Sequence, residues 1–226
     1  MVPNVLCIPW ARDWIDEYEQ TARRWAQAGY QVIIGSRTLE KAEAAVADLH
    51  EVMAERGVSE VNVSASENLA AAEAADIVAI TVPFSHQAST LELVKPALQG
   101  KILVDVTVPL VPPRVARVQL PEGGSAGQIA QDLLGEDVAV VSAFQNVAAA
   151  HLQEGSGVDC DVLVCGNKKA AREEVIKLVE AAGMRGFHAG MINNAAAAEA
   201  LTSVLIVINK QYNCHAGIRI TGTGEH

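Results

Sequence analysis

The chain has 226 residues, enough for one nucleotide-sized α/β domain and a smaller packing unit. Half of its residues are hydrophobic and only 19% are charged, which excludes a disordered chain. The formal net charge is −10 and no Lys/Arg run exceeds the Lys168–Lys169 pair, which argues against a nucleic-acid partner.

In chain order, short β-branched runs alternate with longer stretches of helical spacing. Strands are predicted over Val5–Ile8, Gln31–Ile34, Val61–Val63, Ile77–Val82, Ile102–Val106, Val138–Val141 and Val162–Cys165. Helices are predicted over Trp14–Ala28, Leu39–Arg56, Glu67–Ala75, Ser89–Ala97, Ser125–Leu134 and Lys169–Ala182. Ser36 or Thr38 is a candidate cap for the second helix, and Gly29, Gly100 and Gly183 end others. This alternation predicts an α/β fold, a doubly wound parallel sheet of the Rossmann type. After Gly190 comes a long helix, about Asn194–Tyr212, and a short tail, Ile218–Gly222. The reading divides the chain into a nucleotide-binding unit over residues 1–150 and a small helical or mixed unit over 151–226.

Cys7, Cys160, Cys165 and Cys214 form no CxxC pair and read as reduced, structural cysteines, so no metal site is expected. Met1–Ile8 enters a strand without a basic leader, so a cytoplasmic protein is expected. The apolar run Ala195–Ile208 contains Glu199, Thr202 and Ser203 and reads as a buried helix too short to span a membrane.

Three strand ends carry chemistry. Val32-Ile-Ile-Gly-Ser-Arg37, with Lys41 one turn on, stands where a dinucleotide fold meets the adenine ribose. An acid there would favour a free 2′-hydroxyl. Ser36, Arg37 and Lys41 instead supply a hydroxyl, a guanidinium fork and an ammonium, which together suit a 2′-phosphate. An exposed loop with solvated cations is the plainer alternative. Asp76–Phe84 delivers Val82 and Pro83 to a buried strand end, with His86 shortly after. Lys101–Leu110 does the same with Val108 and Pro109. Either strand alone could be mere core, but repeated apolar walls at successive strand ends suit a ring-binding crevice.

Longer stretches are more distinctive. Ile34-Gly-Ser-Arg37, Lys41-Ala-Glu-Ala44, Thr81-Val-Pro83, Val141-Ser-Ala-Phe-Gln-Asn146 and Asp159-Cys-Asp-Val-Leu-Val-Cys-Gly-Asn167 come in order, followed by Glu199-Ala-Leu-Thr202 and Gly217-Ile-Arg-Ile-Thr221. From about Ala22 to Gly222 the chain resembles the NADPH-dependent F420 reductases, also called F420-dependent NADP oxidoreductases. That resemblance implies hydride transfer between C4 of the nicotinamide and C5 of the deazaflavin, with NADP and coenzyme F420 as cofactors. No side chain is required as a catalyst, because the cofactors carry the reaction. It implies Ser36, Arg37 and Lys41 at the 2′-phosphate, and Val82, Pro83 and His86 near the nicotinamide. Val108, Pro109, Ala143, Phe144 and Gln145 would line the ring-stacking cleft, and a homodimer is implied.

The resemblance breaks at the first strand–helix turn, where a glycine-rich loop normally cradles a pyrophosphate. Here Pro9–Thr21 contains no glycine, and none precedes Gly29. Trp10 adds bulk, while Asp13, Asp16, Glu17 and Glu19 add negative charge. Three readings fit: a divergent site held mainly through the cofactor's two ends, a local reading-frame artefact, or a relative that binds or regulates with F420 but has lost the dinucleotide. A reductase of another acceptor, such as an imine or ferric reductase, is a further alternative.

Overall fold

The fold is taken from a computed structural model, which describes residues 3–9, 15–58, 62–148 and 158–223; for Pro9 and residues 15–19 it describes the backbone only. The strands are β1 (Asn4–Pro9), β2 (Gln31–Ser36), β3 (Val63–Glu67), β4 (Ile77–Thr81), β5 (Ile102–Asp105), β6 (Ala139–Ser142), β7 (Asp161–Gly166) and β8 (Arg185–His188). The helices are α1 (Ile15–Gln27), α2 (Leu39–Glu55), α3 (Asn68–Ala74), α4 (Phe84–Val94), α5 (Ala126–Leu134), α6 (Lys169–Ala181) and α7 (Ala195–Tyr212). Short 3₁₀ turns follow α4 and precede α7.

All eight strands form one sheet in the order β3-β2-β1-β4-β5-β6-β7-β8. From β3 to β6 every pairing is parallel, so these strands share one carboxyl rim. The order reverses between β1 and β4, the switch point at which open α/β sheets form a ligand crevice. β7 runs antiparallel to β6, with Ser142 opposite Cys165, and this register puts the start of β7, at Asp161, on that same rim. β8 then pairs parallel to β7.

Strands covered on both faces must be apolar throughout, and β4 shows this: Ile77–Thr81 is buried at every position. One face packs Val5, Cys7, Val32, Ile34 and Val162 against Trp25 of α1 and Leu178 of α6. The other packs Leu6, Ile33, Val78 and Ile80 against α3, α4 and α5. Trp25 anchors the first layer. Its indole N–H donates to the Leu178 carbonyl at 2.8 Å, and its ring meets Phe144 edge-on at 6.0 Å.

Several expectations shift on contact with the structure. α4 starts at Phe84, not Ser89, because Pro83 with φ −55° sets up the helix start, and the buried polar Gln87 hides the apolar period. Thr38, not Ser36, holds the cap position of α2 and makes no side-chain cap bond. β3 starts two residues later than predicted and ends four later. β8 escaped prediction because Gly186 interrupts its pattern; a Cβ there would meet Ile176 at 3.0 Å. The last helix, α7, starts within one residue of the expected Asn194, but with the 3₁₀ turn before it the helical stretch Ile192–Tyr212 spans 21 residues, enough by length and composition to cross a membrane, where the apolar run Ala195–Ile208 alone is too short. Glu199, Thr202 and Ser203 tie the helix to the start of α5 and to the loops at Gln145 and Val115.

Candidate functional site

The carboxyl rim gathers the residues singled out at the strand ends. Ser36 closes β2 half-buried, with Arg37 exposed beside it and Lys41 exposed one turn into α2. Gly35, just before them, is seated where a Cβ would lie 2.8 Å from Asn68 Oδ1 and 2.9 Å from Leu6 Cδ1. A side chain there would force the Asn68 and Leu6 side chains to shift. Asn68 is buried, and its Oδ1 has no hydrogen-bond partner among the described residues.

Val82 is buried and Pro83 half-buried at the end of β4, with His86 half-buried in the first turn of α4. On the next strand, β5 ends at Asp105, and Val108 and Pro109 follow within four residues. β6 then delivers Ala143, Phe144, Gln145 and Asn146. Strand order thus sets Ser36 at one end of the rim and the Ala143–Asn146 loop toward the other. Residues 10–14, which include Trp10 and Asp13, lie outside the described residues, as do the side chains of Asp16, Glu17 and Glu19.

The Ala143–Asn146 loop is tightly held. Phe144 has φ +74°, a left-handed conformation that a non-glycine residue adopts only when its surroundings impose it. Gln145 Nε2 donates to the Asp105 carbonyl and to Ser142 Oγ, both at 2.8 Å. Thr202 Oγ1 of α7 donates to the Gln145 carbonyl at 2.7 Å. Gln145 Oε1 and Asn146 Oδ1 are buried acceptors without partners among the described residues. A buried acceptor left unpaired costs about 1–3 kcal/mol, so a ligand N–H or water that met one would be favoured.

Beneath the rim lies a polar layer that the sequence did not reveal. Gln87 Nε2 donates to Asp105 Oδ2 at 2.5 Å and to Thr107 Oγ1 and the Ala126 carbonyl at 3.0 Å. Burial pushes the Asp105 carboxyl up to about 6, partly offset by hydrogen bonds from Thr107 and Gln87. Glu199 of α7 accepts from the backbone N–H groups of Ala126 and Gly127 at 2.7 and 3.0 Å, capping α5 from a neighbouring helix. Burial raises its carboxyl to about 8 against those two amides, and the charge of Asp105 adds to the rise. The only sequence signal for this cap was a glutamate inside an apolar run. Burial also raises the thiols of Cys7, to about 12, and Cys165, to about 11, and it raises Cys160, all in keeping with structural cysteines.

The donor set at the β2 tip, with no acid among Ser36, Arg37 and Lys41, suits a phosphomonoester. The apolar side chains at the ends of β4, β5 and β6, beside two buried acceptors without partners among the described residues, suit a flat ring with polar edges. The residues present therefore fit both a phosphorylated dinucleotide and a second planar cofactor.

A parallel sheet with this switch point, lined in this way, defines a Rossmann-type α/β oxidoreductase. A family model described as "NADP oxidoreductase coenzyme F420-dependent" matches residues 19–109, starting within the glycine-free segment. The F420-dependent NADP reductase of Methanocaldococcus jannaschii is 39% identical over 197 residues, covering 84% of this chain and 87% of that protein. Its namesake from Methanothermobacter marburgensis is 38% identical over 211 residues, covering 90% and 93%. The crystal structure of an Arthrobacter sp. FB24 protein proposed to be an F420-dependent NADP reductase superposes with a TM-score of 0.77 at 22% identity, over 97% of this chain and 99% of that one. The chain belongs to the F420-dependent NADP reductase family.

Proposed function

We propose that this chain transfers a hydride between NADP(H) and coenzyme F420, both held along the carboxyl rim of the sheet. When bound, the nicotinamide gives or takes the hydride at C4 and the deazaflavin at C5. The protein's own part is to bind, align and exclude water. Ser36, Arg37 and Lys41 hold the 2′-phosphate through a hydroxyl, a planar fork and a point charge. Gly35 keeps the β2 tip low enough for the ribose to approach. Val82, Pro83 and His86 flank the nicotinamide end. Val108 and Pro109, with Ala143, Phe144 and Gln145, wall the stacking cleft, where Gln145 Oε1 offers an acceptor to a ring N–H.

The observation that carries this reading is the convergence, on one rim and in strand order, of a phosphate-suited tip and apolar ring walls. The glycine-free turn leaves the cofactor's two ends to supply most of the binding. That turn also favours a second reading, a relative that binds F420 without a dinucleotide.

Residues 1–150 act as the NADP-binding unit, and residues 151–226 complete the cleft and meet a second copy of the chain. On α7, Val204, Val207 and Tyr212 are exposed, although the helix buries Ala195, Ala198 and Leu205. Ser203 Oγ donates to the Val115 carbonyl, and Val111 and Val118 of the same loop are exposed too. These exposed apolar side chains suit contact with a second copy in a homodimer, and the cytoplasm is the proposed compartment.

The test is titration of the purified protein with NADPH, then addition of oxidised F420 while its visible absorbance is followed. Saturable NADPH binding with turnover is expected, and Arg37→Ala should weaken NADPH at least tenfold, about the 1.5–3 kcal/mol of one charged hydrogen bond, while sparing F420. F420 binding without NADPH binding would establish the second reading instead.

A further inference from the structure

Residues 213–223 form neither helix nor strand, yet they are fastened at one point to the rim. Asp161, the first residue of β7, is fully buried. Its carboxylate accepts from Arg185 Nε and Nη2, both at 2.9 Å, in a bidentate pair. The same carboxylate accepts from the Ile220 backbone N–H at 2.5 Å, and the Asp161 N–H donates to the Ile218 carbonyl at 2.8 Å. Arg219 Nη1 lies 3.7 Å from Asp161 and 2.6 Å from Asp159. Burial works to raise the Asp161 carboxyl, but Arg185, the Ile220 amide and Arg219 outweigh it and hold the group below its usual range. The clamp is therefore ionised at neutral pH.

The other side of the same dipeptide touches the cleft. The Asp161 carbonyl accepts from Asn146 Nδ2 at 2.7 Å, and the Cys160 thiol lies 3.8 Å from the Asn146 carbonyl. Gly217 closes on Cys160 so tightly that a Cβ would fall 2.8 Å from its sulfur. Cys160 and Asp161 are thus sandwiched between the tail and the last residue of the Ala143–Asn146 loop.

We propose that Asp161 is a positioning residue for the deazaflavin half of the cleft: by gripping Ile218–Ile220 and Arg185, it fixes the backbone on which Asn146 rests, and so the angle of the Phe144–Gln145 wall. The proposal rests on reading that wall as ring-facing. A buried ion pair that served the fold alone would set stability and treat both cofactors equally. A positioning role separates them, because the 2′-phosphate tip lies across the sheet, beyond β1, β4 and β5.

The experiment uses the full chain with D161N and, should that variant fold poorly, I220P, which removes the tail's donor without touching the buried carboxylate. F420 dissociation constants come from its fluorescence, KM values for F420 and NADPH from turnover, and 2′,5′-ADP binding from calorimetry. The F420 constants should rise about tenfold or more, since small misplacements of a binding wall are costly. The NADPH and 2′,5′-ADP constants should stay within about twofold of wild type, as expected for distant, independent sites. Unchanged F420 binding in both variants, or a parallel loss for both cofactors, overturns the proposal. F144A and Q145A, measured alongside, tell its failure from that of the wall. If they weaken F420 while D161N and I220P do not, only the clamp fails; if all four bind F420 normally, the wall reading falls with it.

Discussion

Glu199 makes the fold's stability fall with pH over a range where most proteins change little. In the unfolded chain its carboxyl titrates near 4.5; in the fold, burial raises it to about 8. Between those values the native state holds a proton that the unfolded state has lost. Stability therefore drops by about 1.4 kcal/mol per pH unit, is fully present below the unfolded value, and is lost as pH rises toward 8. From pH 6 to pH 8 the loss from Glu199 comes to about 2 kcal/mol, because the slope fades near the folded value. Asp105, raised to about 6, adds only a few tenths of a kcal/mol there, most of its own loss falling at lower pH. Glu199→Gln removes the titration while keeping the shape and one of the two acceptors for the Ala126 and Gly127 amides. Its stability should be nearly flat from pH 6 to pH 8, at the cost of about 1 kcal/mol for the hydrogen bond lost at the lower end. Urea denaturation of both proteins at half-unit pH steps measures the two slopes. If the wild type is flat or gains stability across this range, the helix amides outweigh burial, Glu199 is ionised in the fold, and the reasoning fails.

Substitutions at three further positions probe other layers. Trp25→Phe should cost about 1–2 kcal/mol in denaturant melts, since it drops the indole bond yet leaves the Leu178 carbonyl satisfied by the Ala182 N–H. Trp25→Ala, which also opens a cavity beside Phe144, should cost about 3–5 kcal/mol. Gly35→Ala pushes a methyl into Asn68 and Leu6 and should destabilise by about 1–3 kcal/mol, with a matching loss of NADPH affinity by fluorescence titration. Val207→Lys, on the exposed face of α7, should shift the mass seen by light scattering from two chains to one without lowering the melting temperature of the monomer.

The parts legible in the sequence share one property: their signals are local. β4 and β5 announce themselves as unbroken apolar runs, and the tip at Gly35-Ser36-Arg37 needs only its place after a strand. The start of α4 is hidden because Pro83 reads as a strand end and Gln87 answers to a distant partner, Asp105 at the end of β5. β8 hides because Gly186 is chosen for the closeness of Ile176, not for strand formation. The Glu199 cap and the Asp161 clamp join residues far apart in sequence, and a lone acid in an apolar stretch does not name its partner. The antiparallel entry of β7 is equally silent, since periodicity carries no direction.

That reversed strand has a bearing on how the molecule is made. Because β7 enters from the rim, its first residues brace a loop that the chain has already laid down. By the time β6 has left the ribosome, the strands that carry Ser36, Pro83 and Pro109 and the neighbours they pair with have all been made. Asn146, by contrast, waits for Asp161, and Asp161 waits for Arg185 and then Ile220. The acceptor side of the crevice is therefore the later half to mature, and a chain halted before the tail emerges would lack the fastening that steadies it.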